Sequence, residues 1–200
     1  MTATETEVKP ITYPARPVNG GSLEFALPVS GEWWYESKLN GWRALVHVPT
    51  RTMFNRQGKR LSIEAEFEEA LDVLQSVNLL ADMEWVDCEA LERRHAIARG
   101  TLIVLDLPMM QAPYLERIHT LHQYLEPLEV GKPLNGIRAL CLHPEKDGMA
   151  LWTRLQAENK RLGCDWAEGV VAKRADSIYP LQLRSPDVEF AFWRKHRWGF

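Results

Sequence analysis

Tyr35-Glu36-Ser37-Lys38-Leu39-Asn40-Gly41-Trp42-Arg43-Ala44-Leu45-Val46 is the stretch on which the reading of this chain turns. Trp33 to Lys38 and Arg43 to Val48 read as two strands about Asn40-Gly41, and Asn-Gly between apolar runs predicts a hairpin. In extended backbone Lys38 and Asn40 share a face. Gly41 has no Cβ and so admits close approach of a ligand to the backbone. Arg43 offers a planar fork suited to phosphate or ribose oxygens. A lysine so placed is a nucleophile or a phosphate ligand, but the stretch alone favours a solvated lysine beside an ordinary turn. The rest of the chain has to decide.

Working outward, Thr52 to Asn55 continues as a strand and Gln57-Gly58 makes the next turn. Ser62 to Gln75 has helical periodicity: Ile63, Phe67, Ala70, Leu71 and Leu74 recur on one face, Glu64, Glu66, Glu68 and Glu69 face out, and Ser62 is a candidate N-cap. Glu84 to Leu91 and Thr101 to Leu107 are expected strands, and Tyr114 to Leu125 an expected helix. Ile137 to Leu142 reads as a short strand. Met149 to Leu162 reads as a helix stopped by Gly163. Gly169 to Lys173 and Val188 to Trp193 complete the strands. Strands often follow strands directly, so the expected fold class is α+β, with antiparallel β-sheets flanked by helices. Residues 1–22, rich in Thr, Glu, Pro and Gly, are expected to form an extended or flexible segment, with Leu23 to Leu27 packing onto one domain over 23–200.

Composition sets the outer limits. The 200 residues are 46% hydrophobic and 26% charged, ordinary for a globular protein. No apolar run approaches the roughly 18 residues of a membrane span, and Met1 to Glu7 has no signal-peptide character. A cytoplasmic monomer without membrane contact is the expectation. Cys88, Cys141 and Cys164 form no C-x-x-C pair, and the 6 histidines show no zinc spacing. His119 and His122 read as surface or half-buried residues. The net charge of −3 argues against indiscriminate nucleic-acid binding but leaves room for a local basic face.

Several short segments carry chemistry. Phe54-Asn55-Arg56-Gln57-Gly58-Lys59 puts an arginine at a strand end. Trp85-Val86-Asp87-Cys88-Glu89-Ala90-Leu91 puts Asp87 and Glu89 on one face of a strand. Glu168-Gly169-Val170-Val171-Ala172-Lys173-Arg174 opens with a carboxylate and closes with a lysine. In Phe192-Trp193-Arg194-Lys195-His196-Arg197, Lys195 and Arg197 share a face. Each segment alone fits ordinary surface charge. Together they supply a lysine nucleophile, carboxylates for a divalent cation and cations for phosphate, a set suited to phosphoryl or nucleotidyl transfer.

In order and spacing these segments resemble the motifs of the covalent nucleotidyltransferase superfamily, which contains ATP-dependent DNA ligases, RNA ligases and mRNA capping enzymes. Lys38-Leu39-Asn40-Gly41-Trp42-Arg43 is similar to motif I, Asp87-Cys88-Glu89 to motif III, and Leu105-Asp106 to its aromatic-containing companion. Glu168 to Lys173 is similar to motif IV and Lys195-His196-Arg197 to motif V. The match runs from about residue 14 to 198. ATP-dependent DNA ligases fit best, through Phe54 to Lys59, Tyr114-Leu115-Glu116-Arg117, Ser177-Ile178-Tyr179-Pro180 and Arg184-Ser185. Asn40, Cys88 and Leu105 stand where the family has an aspartate, a glycine and an aromatic residue.

The resemblance implies an adenylation domain of the ligase type, an ATP-grasp-like fold, here without room for an OB-fold domain. It implies ATP and Mg2+ as cofactors, with Lys38, Lys173 and Lys195 catalytic. Neutral Lys38, favoured by nearby cations and partial burial, would attack the α-phosphate of ATP and form lysyl-AMP. Glu89 and Glu168 would hold the metal. Glu36, Ser37, Arg43, Arg56, Glu89, Leu105, Val171, Lys173, Lys195 and Arg197 would contact the nucleotide. The implied acceptor is a 5′-phosphate/3′-hydroxyl nick in duplex DNA, held by Arg51, Lys59, Arg60 and Arg184 or by a partner protein acting as a clamp. RNA as acceptor, or a degenerate module that binds without turnover, are the alternatives.

Overall fold

A computed structural model describes residues 8–10, 16–23, 31–91, 98–129, 139–140, 142–181, 183 and 185–198. The strands are β1 (Arg16–Asn19), β2 (Trp33–Leu39), β3 (Trp42–His47), β4 (Thr52–Phe54), β5 (Trp85–Leu91), β6 (Thr101–Asp106), β7 (Ala139–Leu140), β8 (Ala167–Arg174) and β9 (Glu189–Arg197). The helices are α1 (Glu68–Ser76), α2 (Asn78–Met83), α3 (Tyr114–Glu129) and α4 (Gly148–Leu162). One sheet has the order β1-β9-β8-β2 and the other β4-β3-β5-β6-β7. Pairing is antiparallel except at two edges, where β1 runs parallel to β9 and β7 parallel to β6. The α+β architecture of antiparallel sheets with flanking helices is therefore the one expected.

Period-2 alternation sorts the side chains. In the five-stranded sheet Ala44 and Val46, Val86, Cys88 and Ala90, and Leu102 and Val104 join a core with Phe67, Leu71 and Leu74 of the first helical region and Ile118, Leu121 and Leu125 of α3. The opposite face carries Arg43, Asp87, Glu89 and Leu105. In the four-stranded sheet Tyr35, Leu39, Val170 and Ala172 pack on Leu151, Trp152 and Leu155 of α4. This leaves Glu36, Lys38, Val171 and Lys173 on the other face. No described helix is long and apolar enough to cross a membrane.

Several local expectations need correction. β2 and β3 are not a hairpin: β2 pairs with β8, while β3 pairs with β4 and β5, so Asn40-Gly41 carries the chain from one sheet to the other. The Asn40 N–H donates to Trp166 O at 2.9 Å and the Gly41 N–H to Glu89 Oε1 at 2.9 Å, one anchor on each side. A Cβ on Gly41 would lie 2.6 Å from the Ala90 carbonyl oxygen. The close approach that requires glycine is thus to β5.

Ser62 does not cap a helix and has φ 54°. Leu61 N–H still donates to Met53 O and the Glu64 carboxylate binds Arg60, so the chain stays tied to β4 until a 3-10 turn over Glu64–Phe67 leads into α1. Glu64 and Glu66 are half-buried rather than facing out. α4 ends as expected, with Gly163 left-handed at φ 67° and an Asp147 side-chain cap at its start. β9 runs on to Arg197, β1 forms within the expected lead-in, and α2 had no periodic signal. Leu23 is fully buried beside Tyr35 and Trp152, in keeping with its expected packing. Glu24 to Leu27, and Ile137, Arg138 and Cys141 of the expected 137–142 strand, lie outside the described residues, while Ala139–Leu140 form β7.

Candidate active site

A cavity of about 450 Å³ opens between the inner faces of the two sheets. Its walls hold every residue expected to touch nucleotide or metal: Glu36, Ser37 and Lys38 from β2, Arg43 from β3, Arg56 from the turn after β4, and Glu89 and Leu105 from β5 and β6. Glu168, Val171 and Lys173 enter from β8, and Lys195 and Arg197 from β9. The Cα register explains the convergence, because Lys38 lies opposite Gly169 and Gly169 opposite Arg197. Gly169 has φ 152°, and a Cβ there would sit 1.9 Å from His196 O, so only glycine lets three strands meet at this point.

Lys38 Nζ donates to Glu168 Oε1, and Arg197 donates to the same oxygen at 3.0 Å. Lys195 stands on the same side, near Arg16. Burial first, then Arg16, Arg197 and Lys38, lower its value from that of an ordinary lysine, against the pull of Glu189. On this wall Lys38 and Arg197 share the Glu168 carboxylate, while Lys195 lies 3.9 Å from Glu189.

Lys173 belongs to a second, buried set. Its Nζ lies 2.9 Å from Glu36 Oε2, 3.0 Å from Leu105 O and 3.5 Å from Asp106 Oδ2, and over the Trp193 ring at 4.3 Å. Tyr114 Oη donates to Glu36 at 2.6 Å. Arg117, fully buried, forks onto Asp106 at 2.6 and 3.0 Å. Burial pushes Asp106 up, but Arg117 and Lys173 outweigh it and hold the carboxyl below its ordinary value. Two carboxylates and two cations thus balance in a water-poor layer beneath the cavity.

On the facing wall Arg43 forks onto Asp87, which also accepts from Tyr179 Oη at 2.6 Å. Burial and Asp87 raise the Tyr179 phenol well above its ordinary value, keeping it a donor. Glu89 is raised chiefly by burial, despite Arg43, Lys38 and the Gly41 N–H. A half-buried carboxylate with that cost favours an added cation. Two carboxylates in one cavity suit Mg2+, which uses one or two together with phosphate oxygens and water.

Asp106, Tyr114, Tyr179 and Trp193 organise the site without having been assigned roles, and Arg16 and Trp42 also line the cavity. The pairing of strands far apart in sequence brings them in, and no local pattern marks that pairing. The basic residues outside the cavity are less free than their run implies. Arg51 pairs with Asp72 at 2.8 Å and Arg60 with Glu64 at 3.0 Å, while Lys59 is exposed. Arg184 lies outside the described residues.

No protein-family model matches the chain, and no curated protein sequence matches it. Solved structures do. The ligase domain of M. tuberculosis LigD superposes with a TM-score of 0.57 at 22% identity, over 93% of this chain and 59% of that one. A Lig E DNA ligase, described as binding DNA with a minimal scaffold, gives 0.56 at 11% identity, over 92% of this chain and 68% of that one. Chlorella virus DNA ligase-adenylate gives 0.55 at 17% identity, over 94% and 69%. The fold is one shared with these solved DNA ligase structures. The chain spans about 59% of the LigD ligase domain.

Proposed function

We propose that this chain is an ATP-dependent polynucleotide ligase that works through a lysyl-AMP intermediate at Lys38 and seals nicks in duplex DNA. The observation that carries the reading is the meeting of Lys38, Glu168, Lys195 and Arg197 on one wall of a nucleotide-sized cavity whose facing wall holds Arg43, Arg56 and Glu89. The likeness to DNA ligase catalytic domains, one of them a ligase-adenylate, supports it.

Lys38, as the neutral amine, adds its nitrogen lone pair to the α-phosphorus of ATP. The bond to the bridging oxygen breaks, pyrophosphate leaves with that electron pair, and the nitrogen releases a proton to water to leave a phosphoramidate. Lys195 and Arg197 offset the charge that grows on the phosphate oxygens. Lys173 fixes Glu36 and the floor against Trp193. Glu89 and Glu168 would hold Mg2+, which when bound neutralises phosphate oxygens. A nick 5′-phosphate then takes the AMP, and the 3′-hydroxyl displaces it to close the backbone.

The test is incubation with α-labelled ATP and magnesium after stripping bound AMP with pyrophosphate, followed by denaturing gel and a chase with nicked DNA or nicked RNA. An acid-labile label, absent with GTP and in Lys38→Ala, and discharged by nicked DNA, is expected. No label on stripped wild-type protein refutes adenylation; discharge by nicked RNA alone refutes the DNA assignment.

A further inference from the structure

Outside the cavity, three metal-ligating side chains from two segments of chain meet on the far side of α3. His122 and Glu126 lie one turn apart on that helix, and His143 comes from the segment that leads into α4. His143 Nε2 is 2.6 Å and His122 Nδ1 is 3.9 Å from Glu126 Oε1. The imidazole rings stack with centroids 3.8 Å apart and planes 3° from parallel. A potential ligand atom of each residue lies within 4.8 Å of those of the others.

We propose that His122, Glu126 and His143 form a binding site for a borderline divalent transition metal, Zn2+ being the natural choice. Two imidazoles and one carboxylate are a donor set that Zn2+ takes readily, and hard Mg2+ prefers oxygen alone. A tetrahedral ion with bonds of about 2.0–2.2 Å holds its ligand atoms roughly 3.3–3.6 Å apart. The two spacings above fall on either side of that value. His143 and Glu126 have side chains 67% and 48% exposed, so both can turn to close on one ion while buried His122 stays fixed. The open side leaves the remaining position to water.

The placement gives the ion a structural task. Two residues beyond His143, Glu145 exchanges both backbone hydrogen bonds with Tyr35, at 2.8 and 2.9 Å. Tyr35 neighbours Glu36 on the strand that carries Lys38. An ion at the cluster ties the C-terminal half of α3 to the segment that borders this strand.

The test uses untagged, chelator-stripped full chain titrated with Zn2+ in competition with a chelator of known affinity, and with Co2+ by visible absorption. One equivalent is expected, with a Co2+ spectrum of nitrogen and oxygen ligands and a Zn2+-dependent rise in Tm. His143→Ala and Glu126→Gln, both at exposed side chains, should keep the far-UV circular dichroism of the parent. Each should weaken Zn2+ by about 100-fold, the upper end of the loss seen on removing even an outer-shell partner. Glu89→Gln separates this site from the cavity and should bind Zn2+ as wild type does. Thiolate-to-metal charge transfer with Co2+, Zn2+ affinity unchanged in both cluster variants, loss of binding in Glu89→Gln, or no binding by wild-type protein would each overturn the proposal.

Discussion

Arg117→Met is expected to destabilise the protein by about 3–5 kcal/mol, the usual cost of removing one partner of a buried ion pair. Arg117 and Asp106 are both almost wholly buried, and the guanidinium makes two hydrogen bonds to that carboxylate and one each to Ser177 O, at 2.8 Å, and Ala112 O. Methionine fills much of the volume but satisfies none of these acceptors. Asp106 would retain Lys173 at 3.5 Å and the Leu107 N–H at 2.9 Å, too little to offset its burial. For a chain of this size the loss corresponds to a fall in Tm of about 6–20 °C. The pH dependence supplies a second readout. Asp106 has a lowered folded value, so its stabilisation is complete above the ordinary carboxylate value, near ~3.9, and is lost as pH falls through the lower folded value. Without Arg117 the folded value rises, so the loss of stability on acidification flattens and the variant's deficit, full at neutral pH, should narrow as pH falls. Urea melts across a pH series measure both effects. A loss under about 1 kcal/mol, or a deficit that does not narrow as pH falls, would refute the claim that the pair is buried and charged.

Three more expectations follow from the site. Glu89→Gln keeps an acceptor for the Gly41 N–H but removes a carboxylate whose value burial has raised. A raised carboxylate favours the folded state at low pH and loses that contribution as pH rises through the folded value. The glutamine variant at neutral pH should therefore melt no lower than wild type while adenylation falls about 100-fold, the scale of one lost electrostatic contact. Gly169→Ala, with a Cβ 1.9 Å from His196 O at φ 152°, should cost about 3 kcal/mol or more by thermal melt and abolish lysyl-AMP formation. Nicked-duplex binding should weaken with salt, and Lys59→Gln, at an exposed side chain, should reduce the log–log slope by about one. Arg51→Gln, whose guanidinium already pairs with Asp72, should leave that slope unchanged.

What could be read directly from the sequence was what depends on alternation. Asp87 with Glu89, Lys195 with Arg197, and Glu36 with Lys38 share faces whatever their strands pair with, so their joint arrival at the site needed only that these segments be extended. Strand pairing was not readable. Asn40-Gly41 has hairpin chemistry, yet β2 and β3 part into different sheets because each pairs with a strand further along the chain. Ser62 has capping chemistry, but the pairing of Leu61 with Met53 delays the helix past it. The cluster of His122, Glu126 and His143 escaped for the same reason. A helix repeat shows His122 and Glu126 on one face, and nothing local says that His143 returns to them.

The crossing at Asn40-Gly41 explains why the site can be both polar and preorganised. A hairpin would have set Lys38 and Arg43 side by side in one sheet. Instead one short stretch delivers a cation to each side of its own bend: the amine of Lys38 to Glu168 on the four-stranded sheet, and the guanidinium of Arg43 to Asp87 on the five-stranded one. Each cation meets a carboxylate of its own sheet, which holds both side chains at the cavity. Glu89 is the exception: it holds the bend through the Gly41 N–H, has its value raised by burial, and lines the cavity near both cations. The carboxylate that fixes the geometry of the crossing is thus also the one with most to gain from a bound cation. Substituting Gly41 with alanine tests the link, because the added Cβ would lie 2.6 Å from Ala90 O and 3.0 Å from Glu89 Cγ. Magnesium-dependent adenylation should fall in Gly41→Ala even at temperatures where the protein remains folded, and an unaltered magnesium dependence would separate the bend from the chemistry.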